Sequence, residues 1–262
     1  MVIPASPIAS VNALTIGFGT TILTECLAYV TGLQMLMKNP PGHVSPATTR
    51  GPRGRRRMSF YSERVLPRLV HMSMQQETFE PYRRRGVAQA RGKVLEVGVG
   101  SGLNLPFYDG ATHVIGLDPS TKLLSMAHVA AAGIGKSIEL VEGVAEAIPL
   151  PDQSVDTVVS TWTLCSIPDV ARALGEMRRV LKPGGWLVFV EHGRSSEARV
   201  VRWQDRLTPL WKRIGGGCHL NRPIEKLIRE AGFHIAQLET GYMKGPKPLT
   251  FMYEGVAHRG GD

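Results

Sequence analysis

Val94-Leu95-Glu96-Val97-Gly98-Val99-Gly100-Ser101-Gly102 is a short apolar run that breaks into three alternating glycines. A run of this length, rich in β-branched residues, fits a strand buried on both faces. The glycines fit a turn in which the backbone approaches a ligand closely and the N–H groups of a following helix point at it. Twenty residues on, Val114-Ile115-Gly116-Leu117-Asp118 reads as a second buried strand ending in a carboxylate. That is where an α/β nucleotide site needs an acid for ribose hydroxyls. Asp118 can also cap a helix starting at Pro119 while it does so.

Outward from this pair the chain alternates. Further strands are expected at residues 138–141, 155–159 and 186–190, with helices at 104–108, 122–132 and 171–180, the last stopped by Lys182-Pro183-Gly184-Gly185. Strands alternating with helices imply an α/β fold with a mostly parallel sheet covered on both faces. The tail changes rhythm. An amphipathic helix at 198–214 leads through Gly215-Gly216-Gly217 to a helix at 223–231. Strands at 233–238 and 249–256 then flank a Gly/Pro-rich turn, as in a closing antiparallel hairpin. Before the first strand, residues 60–90 carry apolar side chains at helical spacing, interrupted at Pro67 and Pro81, and predict two or three short covering helices.

Glu96 narrows the nucleoside. A carboxylate two residues before the first glycine would repel a dinucleotide pyrophosphate, but it accepts from the ammonium of an amino-acid-bearing nucleoside such as S-adenosylmethionine. The plain alternative for Glu96 is a solvated strand end. Gly-x-Gly-x-Gly also differs from the dinucleotide spacing Gly-x-Gly-x-x-Gly.

Three more segments complete a pattern: Gly143-Val144-Ala145-Glu146-Ala147-Ile148-Pro149-Leu150, Ser160-Thr161-Trp162-Thr163-Leu164-Cys165-Ser166-Ile167, and Leu181-Lys182-Pro183-Gly184-Gly185. With them the chain, over about residues 91–256, resembles the class I S-adenosylmethionine-dependent methyltransferases. The resemblance implies a Rossmann-like seven-stranded sheet with a C-terminal antiparallel hairpin. It implies a cofactor site in which Glu96 meets the methionine end beside Gly98, Gly100 and Gly102, Asp118 holds the ribose, and Val144, Ala145 and Glu146 flank the adenine. Many relatives have an Asp where this chain has Val144, so adenine recognition is expected from backbone groups. Residues 101–108, Leu164-Cys165-Ser166, Glu191-His192 and Gly217-Cys218-His219-Leu220 further resemble bacterial relatives of a mammalian, membrane-associated subfamily that methylates alkyl thiols, and more loosely the enzymes that methylate ubiquinone precursors and phospholipid amines.

A thiol or hydroxyl acceptor must lose a proton, and His192, following the strand 186–190, is the candidate base, against the alternative of a histidine making one backbone hydrogen bond. His219, after three glycines, is read as a loop residue or part of a lid. Cys165 is read as a small core or pocket residue, and Trp162 as core or cofactor neighbour. Tyr61, Trp203 and Trp211 are expected to make the pocket cover aromatic, which favours a small lipophilic acceptor over a nucleic acid. A non-catalytic protein that binds the cofactor as part of an interaction surface is the rival of a different class.

Composition fits these readings. Of 262 residues, 43% are hydrophobic and 20% charged, which excludes a disordered chain, a collagen and a polytopic membrane protein. The net charge of +9 is uneven: residues 1–57 hold six basic side chains and one acid, leaving only a mild excess over 58–262. The boundaries expected are therefore an N-terminal extension, 1–57, and a methyltransferase domain, 58–262, with a helical cover at 58–90. Asn12 to Met37 is apolar but has Glu25 at its centre, where an acid such as Asp costs roughly 2.5 kcal/mol or more on insertion. The extension is expected to be a disordered tail with an arginine-rich linker, or else a weak anchor making peripheral membrane contact through residues 11–57, with Met58 as an alternative start. Three scattered cysteines, Cys26, Cys165 and Cys218, predict no disulfide framework and no metal, and fit a reducing, cytoplasmic setting.

Overall fold

The computed structural model describes residues 65–260. The chain divides into Met1–Arg55 and Arg56–Asp262, and the described residues all lie in the second unit. The expectations for residues 1–57, and Tyr61, fall outside the described residues.

Helix α1 (Leu66–Met74), a 3₁₀ turn (Glu77–Phe79) and α2 (Glu80–Val87) precede the sheet. Pro67 and Pro81 do not interrupt these helices. Each sits in a first turn, where its missing N–H has no intrahelical partner to lose. The sheet comprises β1 (Gly92–Val97), β2 (Ala111–Asp118), β3 (Ile138–Glu142), β4 (Val155–Thr161), β5 (Leu181–His192), β6 (Phe233–Tyr242) and β7 (Phe251–Arg259). The helices α3 (Thr121–Ala131), α4 (Val170–Val180), α5 (Ala198–Ile214), α6 (Ile224–Glu230) and the short α7 (Lys247–Thr250) complete it. Strand order is β3-β2-β1-β4-β5-β7-β6. The first five run parallel, and β7 inserts antiparallel between β5 and β6, as the closing hairpin predicts.

The period-two alternation of each strand feeds two cores. Leu95, Val97, Ile115, Leu117, Val158, Leu187 and Phe189 pack with Leu174 and Met177 of α4 and Ile224 and Ile228 of α6. Val94, Val114, Val159 and Val188 pack on the other face with Val87 of α2 and Leu124 of α3. Both faces are thus sealed, which is what a parallel sheet demands.

Two local expectations are corrected. Residues 104–108 form only a 3₁₀ turn (Leu105–Phe107) instead of a helix. Pro106 sits in the first turn, where proline is tolerated, and the turn ends because Tyr108, with ψ +56°, leaves the helical region. Nor does Asp118 cap α3. Ser120 does, its Oγ accepting from Leu123 N, while the Asp118 carboxylate is drawn back towards the glycine loop. At 182–185 the strand continues from Leu181, with the Lys-Pro-Gly-Gly segment looped out between the Val155–Leu181 and Thr157–Trp186 pairs.

Candidate active site

Parallel pairing sets the C-terminal ends of β1, β2 and β4 side by side, Val97 against Leu117 and Ser160. Sequence order departs in opposite directions on either side of β1 and β4, and that switch point opens a crevice. A cavity of about 500 Å³ lies there, within the range of small-molecule sites. Its wall includes Glu96, Gly98, Gly100, Asp118, Val144, Ala145 and Glu146.

Glu96 is no solvated strand end: it is 1% exposed. Asn104 Nδ2 donates to its Oε1 at 2.7 Å, and Tyr108 OH donates to its Oε2 at 2.9 Å. Burial pushes the carboxyl up to about 7, against the pull of those two donors and of the Arg83 charge. Burial likewise raises Asp118, opposed by the backbone N–H groups of Ser120 (2.8 Å, to Oδ1) and Gly100 (3.0 Å, to Oδ2). Each Asp118 oxygen keeps a second lone pair for a ligand hydroxyl.

Gly98 adopts φ +73°, and a Cβ there would overlap Thr163 Oγ1, so the glycine admits the β4 loop against the turn. Gly102 is not part of the cavity wall. Its φ is +82°, and a Cβ would press on Leu105 and Ala127, so this glycine seats the 3₁₀ turn on α3. Val144 is exposed and Ala145 buried, while the Glu146 carboxylate accepts from Asp169 N at 3.2 Å.

The cover is built differently from the expectation. Trp203 is half exposed on α5, and Trp211 packs beside Cys165 and Cys218. Neither lines the cavity, because α5 touches it only through the turn at Gly215 and Gly216. Helix α1 supplies the wall instead, with Leu66, Val70, His71 and Met74. His71, which belongs to no motif, places Nδ1 2.7 Å from Ser101 Oγ in the glycine loop. Only its register with Leu66, Val70 and Met74 could have marked it as inward-facing. Arg83 and Trp162 close the remaining side. The guanidinium lies 5.0 Å from the indole centroid, and Phe79 meets the same indole edge-on at 5.1 Å. Trp162 holds φ +49°, and its Nε1 is buried without a protein partner, as is Asn104 Oδ1.

His192 is 9% exposed and lies behind the wall, its Nε2 3.0 Å from Cys218 Sγ. His219 is anchored by its backbone N–H and Nδ1 to Cys165 O at 2.8 and 3.1 Å. Neither lines the cavity. Cys165 and Cys218, remote in sequence, come together here, both buried and unbridged. Beside them Glu191 takes Ser160 Oγ, Thr163 N and Leu164 N on one oxygen, which fixes the loop after β4.

The donor set fits S-adenosylmethionine: a buried carboxylate at one end for an ammonium, Asp118 for vicinal hydroxyls, an apolar slot at Val144–Ala145, and buried polar atoms left unpaired. Comparison with known proteins agrees. The family model described as a methyltransferase domain matches residues 95–189. Thiol S-methyltransferase TMT1B of Rattus norvegicus is 38% identical over 150 residues, which span 56% of this chain but only 62% of that protein. Its Homo sapiens counterpart is 36% identical over 65% of this chain and 71% of its own length. Phosphatidylethanolamine N-methyltransferase of Cereibacter sphaeroides is 39% identical over 60% of this chain and 79% of its own. Among solved structures, an S-adenosylmethionine dependent methyltransferase from Mesorhizobium loti superposes with a TM-score of 0.54 at 23% identity, covering 71% of this chain and all (100%) of that one, a likeness of fold.

Proposed function

Because the chain belongs to the class I S-adenosylmethionine-dependent methyltransferases, we propose that it moves a methyl group from that cofactor to a small lipophilic acceptor, in the first place an alkyl thiol. The observation that carries this reading is the two-sided cavity: Glu96 and Asp118 at the sheet end, and apolar Leu66, Val70 and Met74 of α1 facing them. The thiol S-methyltransferases among its relatives point the same way.

When bound, the cofactor supplies an electrophilic methyl on a sulfonium. The protein's part is positioning, exclusion of water and proton removal. Glu96 would receive the ammonium and Asp118 the ribose hydroxyls. His71 lines the cavity, unlike His192, and is assigned the role of proton acceptor, with Ser101 fixing its ring. The lipid amine methyltransferase of Cereibacter sphaeroides supports a second reading, methylation of a lipid amine.

Incubating the full chain with labelled cofactor and a panel of alkyl thiols, phenols and lipid amines tests this. A methyl thioether as main product is expected. Cofactor binding without any product would favour the non-catalytic rival.

The membrane contact expected of residues 11–57 lies outside the described residues, none of whose helices is long and apolar enough to cross a membrane; we propose a separate peripheral surface on α5. On α5, Trp203, Leu207 and Leu210 are exposed along one face, bordered on one side by Arg199, Arg202, Arg206 and Arg213. We assign this face to an anionic bilayer surface, since apolar side chains bordered by cations suit a headgroup boundary.

A further inference from the structure

We propose that Cys165, His192 and Cys218 form a binding site for a zinc-class divalent ion. The three donors come from separate elements: the loop after β4, the last residue of β5, and the segment that follows α5. Their ligand atoms nevertheless lie within 4.8 Å of one another. Tetrahedral zinc, with bonds of about 2.3 Å to sulfur and about 2.0 Å to nitrogen, needs such atoms about 3.5–3.8 Å apart. The His192–Cys218 pair, at 3.0 Å, must widen by about half an ångström, and no pair has more than about 1.3 Å to close.

Chemistry favours the same ion. Two sulfurs and an imidazole are the borderline-soft set that zinc prefers to calcium or magnesium. Two thiolates around a dication are electrically neutral, which suits a cluster packed among Leu220, Trp211 and Leu249. With three protein ligands, the ion keeps a fourth position for water. Its structural effect would be to tie the Gly215–Gly217 turn to the sheet. Gly215 and Gly216 line the cavity, so the ion would steady the wall from behind without touching the cofactor residues.

The test uses the full chain, reduced and stripped with a chelator, then titrated with Co²⁺ as an optical probe and with Zn²⁺ as competitor. The expected result is about one equivalent of Co²⁺ with visible ligand-field bands of tetrahedral intensity and a thiolate charge-transfer band, displaced by Zn²⁺. These bands should vanish in Cys165→Ser and Cys218→Ser and persist in Cys26→Ser. Cofactor binding by calorimetry confirms in each variant that the domain is folded, and it separates failure of this site from failure of the proposed function. Reduced, cofactor-binding wild type that takes up no Co²⁺ would overturn the proposal. So would bands retained in both Cys165→Ser and Cys218→Ser.

Discussion

Glu96 carries the greatest electrostatic tension in the cavity: a carboxyl 1% exposed and pushed up to about 7, in the place where a cationic ligand group is expected. Two consequences follow with definite signs. Cofactor affinity should fall as pH drops through about 7, because protonation removes the charge that holds the ammonium. In Glu96→Gln the affinity at pH 8 should fall about tenfold or more, and its dependence between pH 6 and 8 should flatten, both readable by calorimetry. Stability moves oppositely. A folded-state value above the ordinary carboxyl value of 4.5 means a contribution present at low pH and lost as pH rises through about 7, worth roughly 3 kcal/mol. The Gln variant should therefore gain stability over wild type at pH 8 and not at pH 4, as urea melts would show. At His71, replacement by Gln should lower kcat/KM for a thiol about tenfold or more at pH 7. The deficit should shrink towards pH 9, where a thiol of pKa about 8.5 ionises unaided, and cofactor affinity should stay unchanged. Glu96 could be read from sequence because a carboxylate just before a glycine turn has few other uses. His71 could not, since its partner Ser101 is thirty residues away and only the fold brings them together.

At the scale of elements, the glycine loop and the β4 loop are one unit. Gly98→Ala places a methyl against the Thr163 side chain and holds a non-glycine residue at φ +73°. A loss of about 2 kcal/mol or more in stability is expected from denaturant melts, together with weakened cofactor binding. Helix α5 makes a separate prediction. The full chain should co-sediment with vesicles containing anionic lipid, and Trp203→Ser with Leu210→Ser should reduce the bound fraction severalfold without altering cofactor affinity. Elements with strict apolar periodicity, such as β1, β2, α4 and α5, were legible because each buries one repeating face. The 3₁₀ turn at Leu105–Phe107 was not, since it ends where Tyr108 leaves the helical region to reach Glu96, a contact that only the fold supplies. The cover was not legible either: the outward face of α5 and the inward face of α1 are both amphipathic, and only packing decides which one meets the cavity.

For the whole molecule, the order β3-β2-β1-β4-β5-β7-β6 is what turns scattered motifs into one site. Glu96, Asp118 and residues 144–146 sit at the ends of three neighbouring strands, a consequence of strand–helix alternation that the sequence displays openly. The same topology carries His192 past the cavity. At the end of β5 it faces Met252 of β7 and the segment bearing Cys218. No periodicity announces that placement, because it depends on a hairpin formed by the last strands of the chain. The central claim is that the crevice at this switch point is an S-adenosylmethionine site held by Glu96 and Asp118. Calorimetric titration of the cofactor into the full-length wild type, Glu96→Ala and Asp118→Ala tests it most directly. One-site binding to the wild type, weakened about tenfold or more in each variant, is the predicted result; equal affinity in all three proteins would contradict it.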